Sequence, residues 1–211
     1  MVSRSGLALS IVFLLISMEN IAQSSRSYSN TVPVEGTPYM EDAYVKGAVY
    51  LKDQTYDTDL RYNILADQME FKRSGNVESL VPDMAVRKVV IGKNTFVADQ
   101  YLQKGQLTYG FFMLLDSGKI GFMKKLNVVI TPYVAAAPFQ DAKPAAYARK
   151  ADTYYIKIGT QTLLEIRNIK KLIQSLPDHQ KEMDEFAKKE KISADDPEEL
   201  VKFSRYYHSL Q

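Results

Sequence analysis

The stretch from Leu107 to Ile130, LTYGFFMLLDSGKIGFMKKLNVVI, constrains the fold more than any other part of the chain. Two long apolar runs flank Asp116, Ser117, Gly118 and Lys119, and a Gly at a tight reversal supplies the positive φ that a hairpin turn needs. With Ser117 and Gly118 as the loop, Leu115 faces Ile120, Met113 faces Phe122, Phe111 faces Lys124, Tyr109 faces Leu126 and Leu107 faces Val128, all on a core side. On the other side Phe112, Leu114 and Met123 sit near the turn, while Thr108, Lys125 and Asn127 occupy the open end. A face that is apolar over half its length needs a cover, and the C-terminal helices are the expected one.

The chain opens on Arg4 in a short basic region, an apolar run from Leu7 to Met18, and polar Glu19 and Asn20 ahead of Ala22 and Gln23. This is the pattern of a secretory signal over residues 1–22, with cleavage after Ala22. The apolar run is shorter than the about 20 residues that span a bilayer. No Cys occurs, so neither a lipid-bearing N-terminal Cys nor a disulfide is available, and the expected product is a soluble periplasmic or envelope-associated protein held by its core alone. The signal removes one base (Arg4) and one acid (Glu19), so the net charge of +2 persists, which suggests neither a nucleic-acid footprint nor an anionic-membrane footprint.

Residues 23–38, rich in Ser, Asn, Thr and Pro, read as a flexible leader, with order beginning near Tyr39. A single domain over 39–211 follows. Alternation from Tyr44 to Leu51 predicts a first strand, and Leu60 to Ile64 and Met69 to Phe71 predict a hairpin about Ala66 and Asp67. Val77 to Val81, then Val86 to Ile91 and Thr95 to Ala98 about Gly92, predict further strands before the central hairpin. Thr131 to Lys143, with its prolines and its Ala135 to Ala137 run, predicts a long irregular connection suited to a lid or crossing loop. Tyr147 to Arg149, Thr153 to Ile158 and Thr162 to Ile166, with turns at Ala151–Asp152 and Gly159–Thr160, close the β part, 39–166.

The period then becomes helical over 167–211. Asn168 caps a helix bearing Ile169, Leu172, Ile173 and Leu176; Pro177 starts one bearing Met183, Phe186 and Ala187; Asp196, Pro197 and a capping-box Glu199 start one bearing Leu200, Phe203, Tyr207 and Leu210. The fold class is therefore α+β: a mostly antiparallel meander, open or curled into a half-barrel or barrel-like form, with short C-terminal helices packed on it.

Nucleophile elbows, P-loops, dinucleotide fingerprints and HExxH are absent from the sequence, which calls for no cofactor. His179 and His208 fall on polar helix faces and read as surface residues; Asp53, Asp57 and Asp59 lack the Gly and terminal Glu of a calcium loop and read as solvated turn carboxylates. Neither set suggests a catalytic or metal site. The weakest-explained residues are tyrosines on elements and the lysines that interrupt the central strand. Tyr109, Phe111, Lys124 and Tyr154 are the candidate ligand-binding set, with Lys124 either snorkelling or charged inside a cavity.

The strings VKGAVYLKD (Val45 to Asp53), LRYNILADQMEFK (Leu60 to Lys72), VVIGKNTFV (Val89 to Val97) and YARKADTYYIKIG (Tyr147 to Gly159) resemble a group of uncharacterised exported proteins of Bacteroidetes. The resemblance covers most of the mature chain and implies a Gram-negative envelope location, with no catalytic residue or cofactor to carry over. Two functional expectations follow from the residues. The first is a non-catalytic envelope protein that binds a partner protein or an apolar or amphipathic ligand. The second is a hydrolase whose carboxylates or Ser converge only in the fold. An apolar mouth would favour the binder, clustered perturbed carboxylates the enzyme.

Overall fold

The computed structural model describes residues 34–211; the expected signal segment, its expected cleavage point and residues 23–33 of the expected leader lie outside the described residues. Ten strands form one antiparallel sheet: β1 (Val45–Leu51), β2 (Thr55–Asn63), β3 (Gln68–Arg73), β4 (Asn76–Leu80), β5 (Val86–Ile91), β6 (Asn94–Gln103), β7 (Gln106–Asp116), β8 (Ile120–Thr131), β9 (Ala146–Ile158) and β10 (Leu164–Glu165). Their spatial order, β10-β9-β8-β7-β6-β5-β1-β2-β3-β4, departs from a pure meander once, where β5 pairs with β1 and not with β4. Three helices follow, α1 (Ile169–Ser175), α2 (Gln180–Glu190) and α3 (Pro197–Ser209). The architecture is α+β as the periodicities require.

The sheet is open, but it curls. Leu60, Tyr62 and Met69 of β2 and β3 share one buried cluster with Phe96, Phe111, Leu126 and Val128 of β6, β7 and β8. Tyr62 packs on the rings of Phe96 and Phe111 at centroid distances of 5.1 and 6.2 Å. A strap from Glu35 to Met40 bridges the mouth of the curl. Its backbone pairs with β9 through Glu35 N to Ala145 O and Tyr147 N to Glu35 O, and with β2 through Met40 N to Tyr62 O and Ile64 N to Pro38 O, each 2.9 Å. Order thus begins ahead of Tyr39, because unpaired edges of β2 and β9 offer the strap ladder partners that composition does not reveal.

The central hairpin differs from its expected register. Met113 lies opposite Lys124, Leu114 opposite Met123 and Asp116 opposite Phe122, with an irregularity between Leu114 and Asp116. The two-residue slip preserves the expected faces, since side chains alternate with period two. Pairing of β7 with β8 also stops at Met113 and Lys124; below that point β7 pairs only with β6, and β8 only with β9. The expected pairs Tyr109–Leu126 and Leu107–Val128 do not form, and Leu107 is exposed. Strands expected as two pieces, at Tyr147 and Thr153, are one continuous β9 that absorbs the supposed turn at Ala151 as an irregularity against Lys125 and Asn127.

The helices cover the face opposite to the one expected. Ile120 and Phe122 of β8, with Tyr154, Ile156 and Ile158 of β9, meet Leu172, Ile173, Met183, Leu200, Phe203 and Tyr207 in one cluster. Phe112 and Met123 are instead buried with Tyr101, Tyr155 and Leu163, the last drawn in by Leu163 N to Gln100 O at 2.9 Å. Asn168 and Asp196 cap α1 and α3 as read, the Asn168 side chain accepting from Lys171 N at 2.8 Å and Asp196 from Glu198 N at 2.8 Å. Glu199 does not close a capping box; it accepts from Ser193 N at 2.6 Å. Pro177 does not start α2, which begins at Gln180 behind a left-handed His179. Asp178, the natural cap, is committed to Lys119 Nζ at 2.7 Å and to the Tyr207 hydroxyl, which ties the helices to the central turn.

Candidate functional site

The fork between β7 and β8 leaves both backbone groups of Phe111 without a ladder partner on that side, and side chains replace the strand. Phe111 N–H donates to Asp67 Oδ1 at 3.3 Å, while Phe111 C=O accepts from Lys125 Nζ at 3.3 Å. Lys125 Nζ also donates to Asp67 Oδ2 at 2.7 Å, and Asp67 Oδ1 accepts from the Tyr62 hydroxyl at 2.6 Å. The β2–β3 turn is thereby wedged into the fork. Gly110 makes this possible: a Cβ there would lie 2.8 Å from Lys125 Nζ, 2.9 Å from the Tyr101 ring and 3.1 Å from Asp67 Oδ2.

Burial drives the Lys125 amine below the ordinary lysine pKa, with Asp67 opposing the shift. Burial, then the Asp67 charge, push the Tyr101 hydroxyl up to about 12 and Tyr62 higher still. Beside this latch opens a cleft of about 420 Å³, whose wall includes Tyr101, Gln103, Tyr109, Lys125 and Asn127. The charges at its floor neutralise each other, and every oxygen of Asp67 is already engaged. The arrangement ties the curl together and presents no free base or nucleophile.

A second polar network holds the outer side of β2 and β3. Arg61 pairs with Glu70 through Nε at 3.0 Å and an Nη at 2.8 Å, and its guanidinium stacks on Tyr39 at 3.7 Å and Tyr44 at 4.6 Å. Burial would raise the Glu70 pKa, but hydrogen bonds from Asn63 and Arg61 outweigh it and hold the carboxyl below its ordinary value. This network anchors the strap.

At the opposite end of the β2–β3 hairpin the concave face is open. Val49, Leu51, Tyr56, Phe71 and Leu80 line a groove of about 370 Å³, with Asp57, Thr58, Lys72 and Arg73 on its border. Tyr56 is exposed and Leu51, Phe71 and Leu80 are half-buried, so the apolar floor of the sheet continues here without a cover. A volume of this size lies in the range of about 300–1,000 Å³ typical of small-molecule sites.

The four residues singled out from the sequence do not converge. Tyr109 borders the fork cleft; Phe111 is buried at 1% exposure inside the curl; Lys124 pairs with Asp152 at 3.3 Å; Tyr154 is buried beneath the helices, opposite Lys124 in register. Lys125, not Lys124, is the desolvated lysine. Two signals pointed to the latch: a Gly inside an apolar strand, which marks a close approach, and a Lys inside an apolar run. Asp53, Asp57 and Asp59 are exposed, and among the described residues no group of three or more His, Asp or Glu side chains is placed to hold a metal ion. His208 is half-buried against the central turn, its Nε2 accepting from Ile120 N at 3.5 Å, so it is not the solvent-facing residue the helical wheel suggests. A Cβ at Gly118 would lie 2.5 Å from that ring.

The fold and its openings define a curled antiparallel sheet with a helical flank and an uncovered apolar groove on its concave side. No protein-family model, curated protein or solved structure matches the chain. Among the described residues no helix is long and apolar enough to cross a membrane.

Proposed function

We propose that this is an exported, non-catalytic envelope protein of the Bacteroidetes group its sequence resembles, and that the β1–β4 groove binds an amphipathic ligand. The carrying observation is the uncovered apolar floor, Val49 buried and Leu51, Phe71 and Leu80 half-buried, bordered by Asp57, Lys72 and Arg73. Apolar side chains on a concave face gain by excluding water, at about 25 cal/mol per Å² of apolar area covered. At the border Arg73 is the cation that can meet an anionic head, such as a carboxylate, whose chain lies along the floor, with Asp57 beside it; the Lys72 amine lies over the Tyr44 ring on the outer side. The carboxylates of the latch and of the Arg61 network are consumed by structural partners, which favours the binder over the hydrolase.

Anilinonaphthalenesulfonate, an amphipathic anion that fluoresces in apolar sites, tests the reading. The protein should bind it, laurate should displace it, and Leu80→Glu should weaken both by roughly ten-fold or more, as loss of a floor position together with a new charge implies. Absence of binding, or binding indifferent to Leu80→Glu, would remove the groove as the site.

A further inference from the structure

The cleft beside the latch carries unused polar groups of one kind. The charges in its lining are those of Asp67 and Lys125, paired at 2.7 Å. Its other polar side chains are neutral: the hydroxyls of Tyr101 and Tyr109 and the amides of Gln68, Gln103 and Asn127. Hydrogen bonds at the fork run from Tyr62, Phe111 and Lys125 to Asp67 and to the Phe111 carbonyl. Among the described residues, the two hydroxyls and the two glutamine amides join none of them.

Tyr101 is the most informative of these residues. It is 3% exposed, and its ring meets Phe112 edge-on at 5.1 Å and Tyr155 edge-on at 5.8 Å. Burial, then the Asp67 charge, push its hydroxyl up to about 12, so at neutral pH it is a protonated donor. A donor buried to this extent without an acceptor is a cost that Phe in the same place would avoid. Asn127 supplies an acceptor in the same cleft. Its Nδ2 donates to Lys125 O at 3.4 Å, to Ala151 O at 2.9 Å and to Thr153 Oγ1 at 2.9 Å, which fixes the amide and leaves Oδ1 without a donor among the described residues. Donor and acceptor are thus both held in place before a ligand arrives.

A compact ring of neutral hydroxyls with an apolar face answers this lining. A charged ligand would give up its water beside Asp67 and Lys125, which neutralise each other and leave it no counter-charge. A ligand hydroxyl both donates and accepts, so it satisfies a tyrosine O–H, an asparagine oxygen or a glutamine amide alike. Leu65 and Val81, 43% and 50% exposed, add an apolar wall for C–H groups. The volume of about 420 Å³ lies within the range of about 300–1,000 Å³ typical of small-molecule sites.

We infer that the fork cleft is a carbohydrate-binding site, in which the Tyr101 hydroxyl and Asn127 Oδ1 hold hydroxyl groups of a neutral sugar and the amides of Gln68 and Gln103 add further contacts. It shares no lining residue with the β1–β4 groove, so it goes beyond ligand binding there and stands or falls separately.

Calorimetry and saturation-transfer NMR on the full chain test the site with neutral disaccharides of glucose, galactose, mannose and N-acetylglucosamine. Glucuronate, glucose 6-phosphate and adenosine serve as contrasts. At least one neutral disaccharide should bind saturably and more tightly than every contrast. Tyr101→Phe should weaken it about five-fold, the size of one lost hydrogen bond, while its midpoint in denaturant should not fall, because the ring and its packing remain. Gln103→Ala, at an exposed side chain, should weaken it about two-fold, and Leu80→Glu should leave it unchanged. Absence of saturable binding, binding indifferent to both Tyr101→Phe and Gln103→Ala, or tighter binding of a contrast would overturn the site. Loss of sugar binding in Leu80→Glu would move the sugar to the groove and overturn it as well.

Discussion

The helical flank and the curl are two seams of one molecule, and they are closed by different physics. Where α1–α3 meet β8 and β9, the contact is almost wholly apolar: Phe203 is fully buried and packs edge-on to Phe122 at 6.1 Å, with Leu200, Met183 and Tyr207 at 0% exposure around it. Where β2 and β3 meet β7 and β8, aromatic packing is finished by charge, through Asp67–Lys125, while Arg61–Glu70 braces β2 against β3 on the outer side. An apolar seam needs only complementary stripes. A polar seam needs each buried donor and acceptor to be matched, because an unmatched one costs more than the matched bond returns.

The largest expected effect lies at the apolar seam. Phe203→Ala should lower unfolding free energy by about 3–5 kcal/mol in denaturant titration, from lost transfer plus an unfilled cavity. The loss should be the same at low and high salt. A cost within about 0.5 kcal/mol, the level of a surface site, would mean the helices merely rest on β8 and β9.

The polar seam should respond less and differently. Asp67→Asn keeps one oxygen for Tyr62 and Phe111 but turns an NH2 toward the Lys125 ammonium and leaves it without its counter-charge, for an expected loss of about 2–3 kcal/mol. Combining it with Lys125→Met should cost less than the sum of the two single changes, since removing both charges of a buried pair is far milder than removing one. Additivity in that thermodynamic cycle would show that the two residues do not act as one latch.

The smallest effect concerns Glu70. Its folded-state pKa is depressed below the ordinary 4.5, so its contribution is fully present above about pH 4.5 and is lost as pH falls through the folded value. Glu70→Gln should cost about 1.5 kcal/mol at neutral pH, the low end for a charged hydrogen bond, and the gap between variant and parent should close in acid. A gap constant from pH 7 to pH 3 would show that Glu70 contributes by shape alone. Phe203→Ala, having no titrating group, should show no such closure, which sharpens the contrast between the seams.

These differences track what could be read in advance. The stripe of Leu172, Ile173, Leu176, Leu200, Phe203 and Tyr207 is visible at helical spacing, and so is its need for an apolar partner. Which sheet face would supply that partner was not visible, because β7 and β8 are apolar on both sides near the turn and periodicity alone cannot rank two apolar faces. The choice is made by Leu163, which reaches Phe112 and Met123 from the connection after β9 and leaves Ile120 and Phe122 for the helices. Of the four ligand-binding candidates, Tyr154 and Phe111 are core, an outcome aromatic residues in strands commonly share. The groove is not legible in the sequence, because Val49, Leu51, Phe71 and Leu80 each read as ordinary inward positions of their own strands.

Local sequence determined what local forces determine. Strand positions follow from period-two alternation, α1 and α3 start where Asn168 and Asp196 can satisfy free backbone N–H groups, and Gly118 permits the central turn. Tertiary structure decided the rest. The fork between β7 and β8, the wedge of Asp67 into it and the strap at Glu35 all join residues distant in sequence, and their pairing depends on how far the sheet curls. Curl is a property of ten strands together: the summed twist of the sheet sets which edges face each other, and only then does a Lys in an apolar run find its carboxylate or an apolar floor remain uncovered.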